Sequence, residues 1–426
     1  MQILKYLHFL RRFRQLPLVI ILSICIVLLI IIKFHIHTTD YHRKSALRFI
    51  KDKKDLIDNA DDHFHIKQDA LKYMDMSSSL ESDYYFANIT QPECRPRRNI
   101  AFLKMHKCGS STVQNILFRH GQRMNLTFVL PPKKNLISYP ALFHKSAILK
   151  LPVKYYNILT HHTRFHQEGI LEVMPEDTTF ISIIREPVTM YESLFTYFRI
   201  PYLTGIKGHN SLETFFKNPE RYIFLARTEN AYSMKNPMLF DFGMTIWNMG
   251  DRDKVIKMIK YIDRTFPLVM IAEHFDESLI LLKDLLCWNL DDFVYVTLNK
   301  RSQVSVQTVT DETAQRMREW NSGDVLLYDY FNRTFWMKVH AFGTKRMAEE
   351  VRLLRQKREA IYETCIEKES DNTLRMWRPM GIKVGDFVLK KEAEKNRLCV
   401  RMTRPELIYT DILRQQMVKK YHIKLP

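Results

Sequence analysis

Residues Asn99 to Gly121, NIAFLKMHKCGSSTVQNILFRHG, constrain the fold more than any other stretch of this chain. Asn99, Ile100, Ala101, Phe102 and Leu103 have the length and apolar character of a buried strand. Val113, Ile116, Leu117 and His120 then recur at helical spacing, and Gly121 is placed as a stop. The loop between them holds Lys104, His106 and Lys107 and opens into Gly109, Ser110, Ser111 and Thr112. A helix N-terminus offers unpaired N–H groups and the positive end of its dipole; a lysine and hydroxyls beside it make an anion site. The pattern is not the G-x-x-x-x-G-K-[ST] of nucleoside triphosphate loops, because Gly109 stands alone and Lys107 precedes it. A phosphate-like anion is implied, but neither ATP nor GTP. The competing structural reading is an ordinary Ser or Thr cap with no ligand.

Further along, Tyr155–Thr160, Phe180–Ile184 and Pro267–Ile271 read as strands, ending at His161-His162, Arg185-Glu186-Pro187 and Ala272-Glu273-His274. Helices are expected over Pro187–Phe198, Asp251–Tyr261, Phe275–Leu286 and Thr313–Tyr330. Continuous apolar strands separated by helices predict a P-loop-like α/β fold, a parallel sheet flanked by helices. Ligands in such sheets bind beyond the carboxyl ends of the strands, where the singled-out loops all sit. Arg185 leaves its strand as a fork suited to bidentate phosphate binding, Pro187 suits a first helical turn, and Ser193 follows about two turns in. An Arg paired with Glu186 or Glu192 is the structural alternative there.

Leu16 to Ile32 is an uncharged apolar run of 17 residues, at the short end of what spans a bilayer. Lys5, Arg11, Arg12 and Arg14 precede it and Lys33 alone follows closely, which orients the N-terminus to the cytosol. No small-x-small cleavage site follows the run, so an uncleaved signal anchor is expected. The chain then divides into a cytosolic tail (1–14), a transmembrane anchor (15–33), a polar luminal stem (34–95) with a short helix near Ala46–Asp58, and a catalytic domain (96–426). Three sequons follow the anchor, at Asn88, Asn125 and Asn332. Cys94, Cys108, Cys287, Cys365 and Cys399 are available for disulfides in an oxidising lumen. Pairing is not readable from the sequence; Cys365 with Cys399 is offered as a guess. No CxxC exists and His166-Gln167-Glu168 lacks a cysteine pair, so no metal is expected. The net charge of +18 favours an anionic partner, or simply reflects a basic surface. No Arg-rich tract interleaved with aromatics appears, and nucleic acid is not expected. Eleven glycines are too few for a Gly-rich dinucleotide fold.

Phe102 to Thr112 resembles the 5′-phosphosulfate loop of Golgi carbohydrate sulfotransferases, above all the galactose 3-O-sulfotransferases. That family reads Thr-His-Lys-Thr-Ala-Ser-Ser-Thr followed by Asn-Ile-Leu-Phe-Arg; here Met105 replaces the first Thr and Cys108-Gly109 replace Thr-Ala, while Asn115–Arg119 are kept. The segment Arg185-Glu186-Pro187 with Ser193 resembles the 3′-phosphate motif, and it lies about 78 positions beyond Lys107. Asn236–Met244, Leu268–Leu279, Leu285–Trp288 and Phe331–Trp336 are similar to further segments of the same family, covering most of 97–340.

The resemblance implies 3′-phosphoadenosine 5′-phosphosulfate (PAPS) as donor. Lys104, Lys107, Gly109, Ser110, Ser111 and Thr112 would hold the 5′ end, and Arg185 and Ser193 the 3′-phosphate; Lys300-Arg301-Ser302 is a candidate to close over it, with a solvated turn as the favoured alternative. Lys107 is expected to neutralise charge building on the leaving oxygen. Related 2-O-sulfotransferases carry a base histidine after the equivalent strand, and matching Phe165 puts His162 there. His161 stands as backup or as an orienter of substrate; capping the strand end is the structural alternative for both. The expected acceptor is O3 of a terminal β-galactose on glycolipid or glycoprotein, handled by a type II Golgi membrane enzyme; whether it works as a homodimer stays open. A uronyl or heparan 2-O-sulfotransferase is the nearest rival, and a non-catalytic glycan-binding protein the rival of another class.

Overall fold

Five parallel strands form the central sheet: β1 (Ile100–Leu103), β2 (Phe128–Val129), β3 (Ile158–Leu159), β4 (Thr179–Ile184) and β5 (Leu268–Ile271), in the order β2-β3-β1-β4-β5. The computed structural model describes residues 94–208, 210–226, 234–298, 306–370 and 385–424. The anchor, the stem up to residue 93 with its short helix, the Asn88 sequon and Arg301 lie outside the described residues.

Every residue of these strands is buried, which is why they read as unbroken apolar runs rather than alternating ones. Registers are parallel throughout: Ile100 pairs with Ile158 on one side and Thr179 on the other, and Ile181 pairs with Leu268. The main helices are α1 (Ser110–Arg123), α2 (Pro187–Tyr197), α3 (Pro237–Asp241), α4 (Arg252–Thr265), α5 (Phe275–Leu286), α6 (Asp311–Trp320), α7 (Ser322–Phe342), α8 (Thr344–Cys365), α9 (Arg397–Met402) and α10 (Glu406–Tyr421). An antiparallel hairpin of β6 (Ile366–Ser370) and β7 (Asp386–Leu389) precedes the last two helices.

Several boundaries follow local chemistry. Pro187 opens α2 behind Glu186, whose carboxylate accepts the Thr189 N–H at 2.8 Å. Asp251 caps α4 in the same way, through the Lys254 N–H at 3.2 Å. The helix expected over Thr313–Tyr330 is two helices. Asn321 interrupts it: fully buried, it accepts the Asn236 N–H at 2.9 Å and donates to the Met317 carbonyl at 3.0 Å. Tertiary demand for that asparagine overrides an otherwise helical pattern.

Two disulfides brace the fold, Cys94–Cys287 and Cys365–Cys399. The guessed pair is therefore present. Cys108, counted among the available cysteines, is instead free and fully buried; its thiol donates to the His106 carbonyl at 3.2 Å, and burial raises its pKa well above the ordinary thiol value. Of the two described sequons, Asn125 is exposed at a helix end, whereas Asn332 sits mid-helix in α7 with its Oδ1 buried.

Candidate active site

Strand β1 lies between β3 and β4, so the loops leaving the carboxyl ends of all three share one crevice. Strands are added to opposite sides of β1 before and after this point, the arrangement that opens a ligand cleft in parallel sheets. The loop after β1 is tied to both neighbours. The Lys104 carbonyl accepts a hydrogen bond from His162 Nδ1 at 2.9 Å, and the Lys107 carbonyl accepts one from Arg185 Nη1 at 3.2 Å. Three motifs distant in sequence are thereby one cluster.

Within the loop, Lys107 (φ 60°) and Gly109 (φ 74°) take left-handed backbone just before α1 begins. A Cβ on residue 109 would meet only Phe275, at an ordinary 3.7 Å, so the dihedral rather than crowding calls for glycine. Ser110 Oγ donates to the Met105 carbonyl at 2.7 Å, and Thr112 Oγ1 accepts the Leu298 N–H at 3.2 Å. Both hydroxyls hold the loop in shape. Ser111 is half-buried and points its Oγ at Glu406, 3.4 Å away. The N-cap of α1 is Gly109, which has no side chain to cap the first turn. The capacity for an anion therefore resides in the backbone N–H groups and the dipole of α1.

Charged groups border this turn. The half-buried Lys107 lays its ammonium over the Tyr197 ring, 4.1 Å from the centroid. Arg185 is partly exposed, with Nε 3.9 Å from a Glu273 oxygen. Ser193 is buried on α2. Lys104 behaves differently from the other cations: it is 1% exposed and its Nζ donates to Glu406 at 2.5 Å. Burial lowers the Lys104 pKa and Glu406 works against that lowering. Burial pushes the Glu406 carboxyl up, but Lys104, the Asn135 amide and His161 together outweigh it and the group lies below its ordinary value.

His161 and His162 follow β3 and are sent to opposite sides, as consecutive extended residues are. His161 is fully buried, 3.0 Å from Thr410 Oγ1 and packed near Phe118; burial pushes its pKa down to about 3. His162 stays half-buried and stacks on His106, centroids 4.0 Å apart at 14°. Its Nδ1 faces a carbonyl, which only accepts, so Nδ1 carries the proton and Nε2 keeps its lone pair. Loss of water around the ring, then the neighbouring His106 and Lys104, hold its pKa well below the ordinary value. His106 has the same polarity for another reason: its Nδ1 is 2.8 Å from Asp241 Oδ2, on α3. Both stacked imidazoles thus have Nδ1 committed to an acceptor. Tyr139 and Phe198 flank His106, with ring centroids at 5.0 and 5.5 Å.

The sequence alone pointed to no role for His106, Asp241, Tyr197 or Glu406, and left Glu273 between a strand-end or cap residue and an acceptor contact. His106 and Asp241 stood inside quoted motifs, but their contact spans 135 residues and left no local signal. Glu406 falls beyond residues 97–340, the stretch whose motifs carried the resemblance in the sequence. Among the described residues no three His, Cys, Asp or Glu side chains come together as metal ligands.

Residues 59–417 match the family model described as Galactose-3-O-sulfotransferase. The chain is 39% identical over 337 residues to galactosylceramide sulfotransferase of Bos taurus, covering 76% of this chain and 79% of that protein. It is 36% identical over 351 residues to galactose-3-O-sulfotransferase 2 of Homo sapiens (79% and 86% covered). Galactose-3-O-sulfotransferase 3 of Bos taurus is 33% identical over 357 residues (78% and 82% covered). With a matched family model over most of its length and a strand–loop–helix crevice to go with it, this chain belongs to the galactose-3-O-sulfotransferase family of enzymes.

Proposed function

We propose that the protein transfers the sulfuryl group of PAPS to O3 of a terminal β-galactose carried on a glycolipid or glycoprotein. One observation carries the reading: Arg185 Nη1 donates to the Lys107 carbonyl, so the two donor clusters border a single crevice. The cradle suits a doubly anionic nucleotide. It offers the first turn of α1 behind Gly109, the Lys107 ammonium and the partly exposed Arg185 guanidinium, each matched to phosphate or sulfate oxygens. The 5′ end belongs at residues 107–112, and the 3′-phosphate at Arg185 and Ser193.

PAPS supplies an activated sulfur whose leaving group is a phosphate oxygen. His162 Nε2 takes the proton of the galactose hydroxyl as that oxygen bonds to sulfur and the bond from sulfur to the phosphate oxygen breaks. The lowered pKa of His162 keeps it neutral and ready at the start of the cycle. Lys107 stabilises the negative charge left on the departing phosphate, and its stacking on Tyr197 limits where the ammonium can swing. The 17-residue apolar run anchors the enzyme in the Golgi membrane as a single-pass type II protein, with residues 34–426 in the lumen.

A second reading of the base rests on the 2.8 Å contact of His106 with Asp241, since a carboxylate behind Nδ1 makes Nε2 the stronger acceptor. His162→Gln and His106→Gln decide between them. The base is the residue whose loss cuts kcat by about 10²–10⁴ while binding of the spent donor, PAP, persists. Acceptor profiling on β-galactosides against desulfated heparan tests the substrate; sulfation of heparan alone would overturn the galactose assignment.

A further inference from the structure

The last helix of the chain reaches back into the donor loop. Glu406, at the start of α10, takes the Lys104 ammonium at 2.5 Å, the Asn135 amide at 3.1 Å and the Ser111 hydroxyl at 3.4 Å. One turn later Thr410 holds His161 at 3.0 Å. Another turn on, Arg414 donates to the Pro131 and Lys134 carbonyls at 3.0 and 2.8 Å. From α9, the Arg401 carbonyl receives the Asn115 amide of α1 at 3.0 Å. The α9–α10 segment therefore grips α1, the loop after β1 and the loop after β3 together. Glu406 is the acidic member of that grip, bonded to the loop after β1 through Lys104 and to α1 through Ser111.

We infer that Glu406 is a positioning residue for sulfuryl transfer: by fixing Lys104 and Ser111 it sets the loop that carries Lys107 and aims the imidazole hydrogen-bonded to the Lys104 carbonyl. The inference rests on the reading that residues 107–112 receive the donor. A carboxylate inside a site for a polyanion is costly unless it does something else. Here it neutralises a lysine that is almost wholly buried and cannot lie uncompensated. The Lys104 side chain and the Lys104 carbonyl belong to one residue, so the ion pair and the His162 hydrogen bond move together. His106 and Lys107 follow two and three residues on, which makes the argument the same whichever histidine is the base.

The test uses the full-length enzyme in detergent, with kcat measured on a β-galactoside acceptor and PAP affinity measured by calorimetry. Glu406→Gln keeps the shape and removes the charge. It is expected to lower kcat about 10–100-fold, the scale of an ångström misplacement, while PAP affinity stays within about threefold of wild type. A merely structural carboxylate would lower the melting temperature and leave the kcat of the folded protein alone. A kcat within about twofold of wild type overturns the inference, and so does a parallel loss of kcat and PAP affinity, which would make Glu406 part of donor binding. Should the variant fail to fold, Lys104→Met with Glu406→Leu replaces the pair by apolar groups of similar size. A folded double variant with reduced kcat and intact PAP binding supports the inference, and wild-type kcat overturns it. Wild-type enzyme that transfers sulfate yet does not bind PAP would sink the donor reading itself, and this inference with it.

Discussion

Acidification should destabilise this protein through one residue in particular. His161 has no exposed surface, sits against Thr410 and Phe118, and has its pKa pushed down to about 3 by burial, with Glu406 opposing and Lys104 and Arg414 adding to the shift. In the unfolded chain the same imidazole titrates near its ordinary value of about 6.5. A depressed folded-state pKa means that the unfolded state takes up a proton the folded state refuses. The stabilisation is thus complete above about pH 6.5 and is lost as pH falls toward 3. At pH 5 the unfolded state gains about 2 kcal/mol from this residue alone, relative to pH 7.5. Urea unfolding of wild type and His161→Gln at both pH values isolates the effect from other titrating groups. The pH-dependent loss should be about 2 kcal/mol smaller in the variant. Equal losses in the two proteins would show that His161 takes up its proton in the fold, and the burial argument would be wrong.

Gly109→Ala should cost about 1 kcal/mol of stability from the φ of 74° alone, since its Cβ meets Phe275 at an ordinary distance; a chemical melt reads it. Lys107→Ala should lower kcat about 10²-fold and weaken PAP binding, measured by steady-state kinetics beside calorimetry. The pH profile of kcat should keep its acid limb below about pH 6.5, because His162 has a lowered pKa and only its neutral form accepts the proton. Removing Cys94–Cys287, which joins residues 193 apart, should cost about 5 kcal/mol in the chain-entropy model; thermal unfolding of the double Cys→Ser variant measures it.

The parallel sheet was legible because its strands are short, wholly buried and bounded by polar loops, so Phe180–Ile184 and Leu268–Ile271 announce themselves. β2 went unnoticed: Phe128–Val129 is two residues long and carries no period. The donor loop was readable for a local reason, since a helix opening after a lysine-bearing turn is written in consecutive residues. Which of its hydroxyls remain available was not, because Ser110 bonds within the turn and Thr112 bonds to Leu298, 186 residues away. The same limit hid Asp241 behind His106 and Glu406 behind Lys104, pairs made only by tertiary packing. His161 and His162 looked alike in sequence; alternation at the end of β3 sends one into the core and the other to the crevice.

The account turns on one crevice accepting one nucleotide with two anionic ends. Calorimetric titration of the full-length protein with PAP measures that directly. Saturable binding at a single site is predicted, weakening with salt and in both Lys107→Ala and Arg185→Ala. Glycan capture with no heat from PAP in the wild-type protein would contradict it.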